Sequence, residues 1–269
     1  MPLSRPPGKV TFENQGRVIL VTGGASGIGA AICQAFSETG GSVVCLDVNL
    51  PPTTMDAEFV RCNVAVDEDC EAAVKHTIEH FGAIDVLINN AAIQPSTSYK
   101  PIDQIRPEVW LAMIDINLCG YLRMAKNVIP YMKQQGSGVI LNMASGQAHR
   151  TAREVGVYGP IKAANVMQAR QWAVEYARDG IRVNSISPGA IDTPMVRASF
   201  EAQGGADALA NRHPIGRIGN PEEVASAAVW LCSNSASFIT GTDLEVDGGL
   251  GAFGAFADPY QKPNQQTKN

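Results

Sequence analysis

R-V-I-L-V-T-G-G-A-S-G-I-G, at residues 17–29, is the stretch that decides the fold. Residues 17–22 form a short apolar run that ends at glycine, which predicts a buried strand. The glycines turn into a helical pattern in which Ile28, Ile32 and Phe36 share one face. Such a turn lets backbone amides approach a pyrophosphate, although a turn that binds nothing is the alternative. The residues expected at the phosphates are Gly23, Ser26, Gly27, Ile28 and Gly29.

A carboxylate at the end of the next predicted strand favours a dinucleotide over an empty turn. The apolar run at 42–47 ends in Asp47, 18 residues after Gly29. At this position an acid accepts hydrogen bonds from the adenosine ribose and repels a 2′-phosphate. Ser26 and Val48 offer no cation to such a phosphate. We therefore expect the cofactor to be NAD, with NADP less favoured.

Predicted strands and helices alternate along the rest of the chain, which indicates an α/β fold. The expected architecture is a single-domain doubly wound parallel sheet (Rossmann fold) of about seven strands flanked by helices, at residues 17–250. A flexible lead-in at 1–16 and a tail at 251–269 flank it. The later strands are expected at 58–62, 84–89, 139–144, 181–186 and 243–247, and helices at 67–81, 107–135, 155–178 and from 221, after an Asn220 cap.

Composition excludes several classes of protein. The chain has 269 residues, of which 45% are apolar, so it can bury a sizeable core. Its net charge of −5 argues against nucleic-acid and anionic-membrane partners. No apolar run approaches the ~18 residues of a transmembrane helix, and residues 1–16 lack an apolar signal core.

Cysteine and histidine spacing predicts neither a disulfide framework nor a metal site. The six cysteines are scattered and form no C-x-x-C pair, which is typical of reduced thiols in a cytoplasmic protein. His76 and His80 are four residues apart and could share a metal ion, but no acidic or thiol third ligand stands at a recognisable spacing. We therefore expect no metal, and a solvated helix face at these histidines.

Residues 145–162, S-G-Q-A-H-R-T-A-R-E-V-G-V-Y-G-P-I-K, hold the candidate catalytic groups. On a helix, Tyr158 and Lys162 would share a face. A free Tyr has a pKa near ~10, and lowering it by about 3 units needs roughly 4 kcal/mol. One positive charge at about 4 Å supplies roughly that at an effective dielectric constant of ~20. The pair alone also fits a solvated helix face, so its interpretation depends on the rest of the chain.

Taken together, the motifs resemble the short-chain dehydrogenase/reductase family in its form of about 250 residues. The match covers residues 16–250, and its motifs follow one another in the family's order. They are T-G-x-x-x-G-I-G at 22–29, N-N-A at 89–91, Asn117, Ser145, Tyr158-x-x-x-Lys162, Pro188-Gly189 and Asp247-Gly248-Gly249.

The resemblance implies four catalytic residues. Tyr158 would be the general acid/base, and Lys162 would lower its pKa and bind the nicotinamide ribose. Ser145 would hydrogen-bond the reacting oxygen of the substrate. Asn117 would bend its helix and hold a water that feeds a proton relay to Lys162. The family usually has small residues where Pro160 and Ile161 stand.

The resemblance also implies the remaining cofactor contacts. Asp47 would bind the adenosine ribose, and Asn63, where the family usually has Asp, would accept a hydrogen bond from adenine. After Pro188 and Gly189, Ile191 and Thr193 would touch the nicotinamide carboxamide. The other expected contacts are Val64, Asn90 and Ala91, the last followed by Ala92 in place of a common Gly.

The sequence constrains the identity of the substrate less than it constrains the cofactor or the reaction. Gln147, two residues after Ser145, is the favoured polar contact, and residues 195–213 are expected to form a mobile lid. The other candidates are Gln94, His149, Arg153 and Val155. His149, Arg150 and Arg153 would bind a carboxylate or sugar hydroxyls, and solvent-exposed loop residues are the alternative for these three. A sugar, polyol or hydroxy acid is favoured over a steroid.

The expected activity is hydride transfer between a secondary alcohol or ketone and NAD. The alternatives are a 3-oxoacyl-carrier-protein-type reductase and a catalytically silent NAD-binding regulator, although such regulators usually lack the Tyr or the Lys. A nucleotide-sugar epimerase would need a larger substrate domain. The resemblance implies a homotetramer, or a homodimer. Candidate subunit contacts are Val166, Ala169, Trp172, Phe253 and Phe256.

Overall fold

The computed structural model describes residues 11–51, 55–200 and 203–254. They contain one seven-stranded parallel sheet with the strand order β3-β2-β1-β4-β5-β6-β7. The predicted fold class is therefore confirmed, whereas Phe256 and most of the lead-in and tail lie outside the described residues. The strands are β1 Val18–Thr22, β2 Ser42–Asp47, β3 Glu58–Arg61, β4 Val86–Asn89, β5 Gly138–Met143, β6 Ile181–Pro188 and β7 Asp243–Val246.

Helices cover both faces of the sheet, which explains why its central strands are apolar on both sides. Alternate β1 residues supply the two cores: Ile19 packs with α1 and α8, and Leu20 packs with α2, α4 and α5. The helices are α1 Gly27–Glu38, α2 Asp67–Phe81, α3 Pro107–Ile114, α4 Gly120–Gln135, α5 Tyr158–Tyr176, α6 Pro194–Arg197, α7 Ala206–Ala210 and α8 Pro221–Cys232.

The order of the strands indicates where in the fold a ligand site is expected. The chain builds outward from β1 to β3 and then returns to β4 on the other side of β1. A doubly wound sheet binds ligands at this switch point, outside the carboxyl ends of its strands. The glycine-rich turn after β1 and the segment after β4 therefore face each other across one crevice.

Several predicted boundaries hold, and the start of α5 does not. β2 and α2 begin and end at the predicted residues. The helix expected from residue 155 begins at Tyr158, because Val155 instead forms a β-bridge with Lys100 and Glu154 adopts a left-handed φ of 64°. Pro160 therefore falls in the first turn of α5, where its missing N–H breaks no helical hydrogen bond.

Three residues expected at a subunit contact belong to the core. Val166, Ala169 and Trp172 are buried within their own chain.

The capping of α8 is as predicted, since the Asn220 N–H donates to the Glu223 carboxylate at 2.8 Å. All six cysteines are unpaired, and five are buried. None of the helices in the described ranges combines the length and apolarity needed to cross a membrane.

Candidate active site

A cleft of about 540 Å³ opens at the carboxyl ends of the strands. This volume is in the range of about 300–1,000 Å³ that is typical of small-molecule sites. Fifteen of the sixteen predicted cofactor-binding residues line the cleft, and the exception is Gly29, which lies behind the turn. The lining set is Gly23, Ser26, Gly27, Ile28, Asp47, Asn63, Val64, Asn90, Ala91, Tyr158, Lys162, Pro188, Gly189, Ile191 and Thr193.

Two positions in the turn after β1 require glycine, each for a different physical reason. Gly23 has a left-handed φ of 63°, and a Cβ there would lie 2.8 Å from the Cα of Ala91. A Cβ on Gly29 would collide with the carbonyl oxygen of Gly23. Asn90 fixes the turn, because its side chain donates to the carbonyls of Thr22 and Gly23, each at 3.1 Å.

The start of α1 is suited to an anionic group. Ser26 precedes the helix, and its side chain makes no capping hydrogen bond. The first amides of the helix are therefore left for another acceptor. Together with the partial positive charge of the helix N-terminus, they fit a pyrophosphate in the cleft.

The Asp47 carboxylate lies beside this turn. One of its oxygens accepts from the Ala25 N–H at 3.1 Å, and the other accepts from the Asn49 N–H at 2.9 Å. Asn63, at the next strand end, uses its amide oxygen to accept from the Ala65 N–H at 3.1 Å. An amide oxygen has a second lone pair, so Asn63 can still accept one further hydrogen bond.

Tyr158, Ser145 and Lys162 meet at the other end of the cleft. Tyr158 is the first residue of α5, and its hydroxyl is hydrogen-bonded to Ser145. Lys162 is one turn later and is buried, with Nζ 5.6 Å from the centre of the Tyr158 ring. Nζ donates to the Met143 carbonyl at 2.7 Å. The three predicted side chains are therefore brought together by the end of β5 and the start of α5.

The electrostatic balance differs from the expectation for this pair. Burial raises the pKa of Tyr158, nearby Tyr99 adds to the rise, and only the hydrogen bond to Ser145 lowers it. Burial also lowers the pKa of Lys162, to about 7. Within the described residues, the predicted lowering of the Tyr158 pKa by Lys162 is not found. Burial disfavours the charged form of Lys162, so its ammonium loses part of its charge near neutral pH.

Tyr121 is a site residue that the sequence reasoning missed. Its hydroxyl donates to the Met143 carbonyl at 3.0 Å and accepts from Lys162 Nζ at 3.3 Å. The ammonium also lies 5.3 Å from the centre of the Tyr121 ring. Tyr121 follows Asn117 by four residues, so a shared helix face was the available signal.

Asn117 lies at a break in helical geometry rather than in the cleft wall. Residues Asp115–Cys119 form a π-turn between α3 and α4. The Asn117 amide pairs with the backbone of Ile93, accepting from its N–H and donating to its carbonyl, both at 2.8 Å. This pairing holds the segment after β4 in place. The helical hydrogen-bond pattern changes at this residue, and the bend and the water relay remain predictions.

Asn165 was also missed, and it holds the carbonyl that the π-turn leaves outside the helical pattern. Its side-chain N–H group donates to the Asn117 carbonyl oxygen at 3.0 Å. Asn165 is fully buried, and its own Oδ1 has no hydrogen-bond partner. Because unpaired buried amide oxygens are rare, this atom marks a place suited to an internal water.

The substrate end of the cleft contains only part of the predicted set. Gln94 and Gln147 line it, and each has one buried atom without a partner, Gln94 Nε2 and Gln147 Oε1. The 195–213 segment contributes cleft residues, of which Ser199 hydrogen-bonds Tyr99. Tyr99 also lines the cleft and carried no sequence signal.

His149, Arg153 and Val155 do not line the cleft. His149 pairs with Asp243 on β7, with Nε2 2.7 Å from the carboxylate. Arg153 is exposed, and Val155 is buried beside Lys100. The turn after Ser145 brings His149 to β7 and leaves Arg153 exposed, whereas the bridge to Lys100 holds Val155 away from the cleft.

Comparisons with known proteins agree with this geometry. A family model described as enoyl-(acyl carrier protein) reductase matches residues 23–251. The chain is 37% identical over 246 residues to a 2,5-dichloro-2,5-cyclohexadiene-1,4-diol dehydrogenase of Sphingobium indicum, covering 88% of this chain and 98% of that protein. It is 38% identical over 250 residues to a cis-4-hydroxycyclohexanecarboxylate dehydrogenase of Sinomonas cyclohexanicum, covering 88% and 97%. The ligand-free structure of Thermoplasma acidophilum aldohexose dehydrogenase superposes with a TM-score of 0.86 at 35% identity, covering 91% and 98%.

Proposed function

The chain belongs to the short-chain dehydrogenase/reductase family and is an oxidoreductase of CH–OH groups, and on this basis we propose its cofactor and substrate class. We propose that it uses NAD(H) to interconvert a ketone and a secondary alcohol that carries a second polar group, such as a cyclic diol, polyol, sugar or hydroxy acid. The observation that supports this most is one cleft with Asp47 at one end and Ser145, Tyr158 and two unpaired glutamine amides at the other.

The preference for NAD over NADP rests on the first end of the cleft. The Asp47 carboxylate would accept from the ribose hydroxyls, and the α1 amides and Gly23 turn would hold the pyrophosphate. A 2′-phosphate would bring a second negative charge beside Asp47, where Ser26 and Val48 line the cleft without a compensating cation. When bound, the nicotinamide supplies the hydride acceptor or donor.

The chain's own catalytic work is proton transfer and orientation. In oxidation, the Tyr158 oxygen takes the proton of the substrate hydroxyl, and Ser145 donates a hydrogen bond to the same substrate oxygen. Transfer near neutral pH requires a lower Tyr158 pKa than the one that burial produces. A charged Lys162 and the Ser145 hydrogen bond both act in that direction. The Asn117 carbonyl, which accepts from Asn165, would accept a second hydrogen bond from a water, and that water would pass the proton between Lys162 and solvent.

The substrate class rests on the two unpaired amides. A buried polar group without a partner costs about 1–3 kcal/mol, so a substrate that pairs it gains affinity. Gln94 Nε2 is a donor and Gln147 Oε1 is an acceptor, and a substrate hydroxyl group, which both donates and accepts, suits either atom. The two dehydrogenases and the aldohexose enzyme are all named for ring compounds with polar groups beyond one alcohol.

A substrate screen with NAD, followed as NADH appearance, tests the proposal. We expect cyclic diols, aldohexoses and hydroxycyclohexanecarboxylates to give a higher kcat/KM than cyclohexanol. Turnover with NADP alone, or a preference for cyclohexanol over every polar analogue, would contradict it. NAD binding without turnover of any compound would instead favour the silent regulator.

A second candidate is the reduction of a 3-oxoacyl group on a carrier protein. The description of the matching family model favours it. Reduction of acetoacetyl thioesters with NADH tests it directly, because this substrate carries neither a ring nor a second hydroxyl. Faster turnover of the thioester than of any cyclic ketone would make this the better assignment.

We also propose a homotetramer in the cytoplasm. Apolar side chains are exposed on three neighbouring helices, and the six unpaired cysteines fit a reducing compartment. Light scattering on the native protein tests the assembly, and a monomeric mass would contradict it. The exposed apolar residues are Leu111 on α3, Leu122 on α4, and Met167 and Val174 on α5.

A further inference from the structure

A group of metal-binding side chains lies at the opposite edge of the sheet from the cleft. Glu58 begins β3, the strand at one side of the sheet, and His76 and His80 lie in the second half of α2. One ligand atom from each residue lies within 4.8 Å of the others. None of these three residues lines the cleft.

The sequence reasoning dismissed this site for want of a third ligand, and the fold supplies one. Glu58 precedes His76 by 18 residues, a spacing that follows no local motif. Parallel strands run toward the cleft and the connecting helix runs back, so the first residue of β3 meets the last turns of α2. The sequence therefore showed no third ligand at a recognisable spacing, and the fold brings Glu58 to the two histidines.

A backbone hydrogen bond fixes the tautomer of His80 and leaves its other ring nitrogen able to bind a metal ion. His80 Nδ1 lies 2.9 Å from the His76 carbonyl oxygen, so this nitrogen must carry the proton and donate it. The hydrogen bond leaves Nε2 of His80 with the free lone pair, in the way that protein metal sites commonly fix a histidine tautomer. The two rings stack with centroids 3.9 Å apart.

Glu58 and His76 add charge complementarity. His76 Nε2 contacts the Glu58 carboxylate directly, and both side chains are about one-third exposed. An ion can therefore enter from solvent and replace the shared proton. The nearest lysine on α2, Lys75, is paired with Glu79 at 3.8 Å. The C-terminal end of a helix also favours a cation through its partial negative charge.

We propose that Glu58, His76 and His80 bind one divalent transition-metal ion of the zinc type. Two imidazoles and a carboxylate with an open fourth position form a ligand set that Zn²⁺ commonly takes, and Co²⁺ and Ni²⁺ suit the same donors. The ion ties β3, which has only one neighbouring strand, to α2. Since β3 leads directly to Asn63 and Val64 in the cleft, the tie stabilises the adenosine end of the site.

Calorimetric titration of the EDTA-treated full chain with Zn²⁺ in a non-chelating buffer tests the site. We expect one ion per chain and a rise in the unfolding temperature with added Zn²⁺. His80→Asn should weaken binding by about ten-fold or more. Because His80 is exposed, this variant should fold, and Glu58→Gln provides a second test from the strand side.

His149→Asn is the matched control, because His149 also pairs with a single carboxylate but has no second histidine beside it. This variant should bind Zn²⁺ as the unchanged protein does. Equal Zn²⁺ affinity in the unchanged protein, His80→Asn and Glu58→Gln would overturn the proposal, and so would the absence of any binding. A Co²⁺ absorption spectrum that His80→Asn leaves unaltered would also count against it.

Discussion

The two ends of the cleft differ in how they are built. At the proposed cofactor end the candidate binding groups are backbone amides, glycines and one carboxylate at strand ends, and fifteen of sixteen predicted residues line the cleft. At the substrate end the groups are side chains on the turn after Ser145 and on the 195–213 segment. Of four polar residues predicted there besides Ser145, Gln94 and Gln147 line the cleft, and His149 and Arg153 do not. Site residues that are fixed by backbone geometry can be predicted from the sequence. Site residues on loops cannot, because their positions depend on how each loop folds.

The largest effect on activity is expected from a substitution of Tyr158, which lies between the proposed cofactor and substrate positions. Tyr158→Phe removes the proton acceptor, and general acid–base groups contribute about 10²–10⁴-fold to rate. We expect kcat to fall by at least that range while NADH binding, measured by fluorescence, is unchanged. Tyr176→Phe, at the far end of α5, is the control. Normal turnover by Tyr158→Phe would remove the proposed acid/base.

Asp47→Ala tests the cofactor end alone. Hydrogen bonds to charged groups contribute about 1.5–3 kcal/mol, which corresponds to a loss of roughly ten- to a hundred-fold in NAD affinity. Discrimination against NADP should relax at the same time, because the repelling charge is gone. Asp103→Ala, at an exposed site, is the control. Unchanged cofactor preference would show that the carboxylate does not face the ribose.

Gln147→Leu tests the substrate end. With its acceptor lost, kcat/KM should fall roughly ten-fold for a cyclic diol and change little for cyclohexanol. Gln94→Leu should show the same pattern through loss of a donor, and Gln171→Leu, on the exposed face of α5, should show neither. An equal fall in kcat/KM for the diol and for cyclohexanol would mean that these amides shape the cleft but do not bind the second polar group of the substrate.

A further effect concerns the stability of the folded protein and depends on Lys162. The pKa of Lys162 is about 7 in the folded, ligand-free protein and near its ordinary value in the unfolded chain. Between these values the unfolded chain binds more protons, so the free energy of unfolding should rise as pH increases from 7 to about 9.5. Calorimetric melting across this range should show a steeper rise for the unchanged protein than for Lys162→Met. Parallel curves would mean that Lys162 keeps its proton when folded.

The fold was predictable because its signals are local. The apolar run before Gly23, the carboxylate at Asp47 and the alternation of strands and helices each follow from backbone requirements. Tyr121 and Asn165 were not found in this way, since a buried polar residue in a helix has the same local pattern whether or not it contacts a site residue. Tyr99 lies in a loop whose course no local pattern fixes. The predicted direction of the Tyr158 pKa shift was wrong for a related reason. Burial sets that shift, and burial depends on how the whole chain folds.

The π-turn at Asp115–Cys119 has a consequence for the length of this segment. Each residue of an α-helix advances the chain by ~100° about its axis, so one surplus residue offsets the phases of the two helices it joins. Met113 of α3 packs against Ile105 and Val157, whereas Met124 of α4 packs under the sheet. Deleting one residue here would restore regular helical pairing and swing Met113 out of its contacts. Insertions and deletions should therefore be tolerated in the surface loops and not in this short segment.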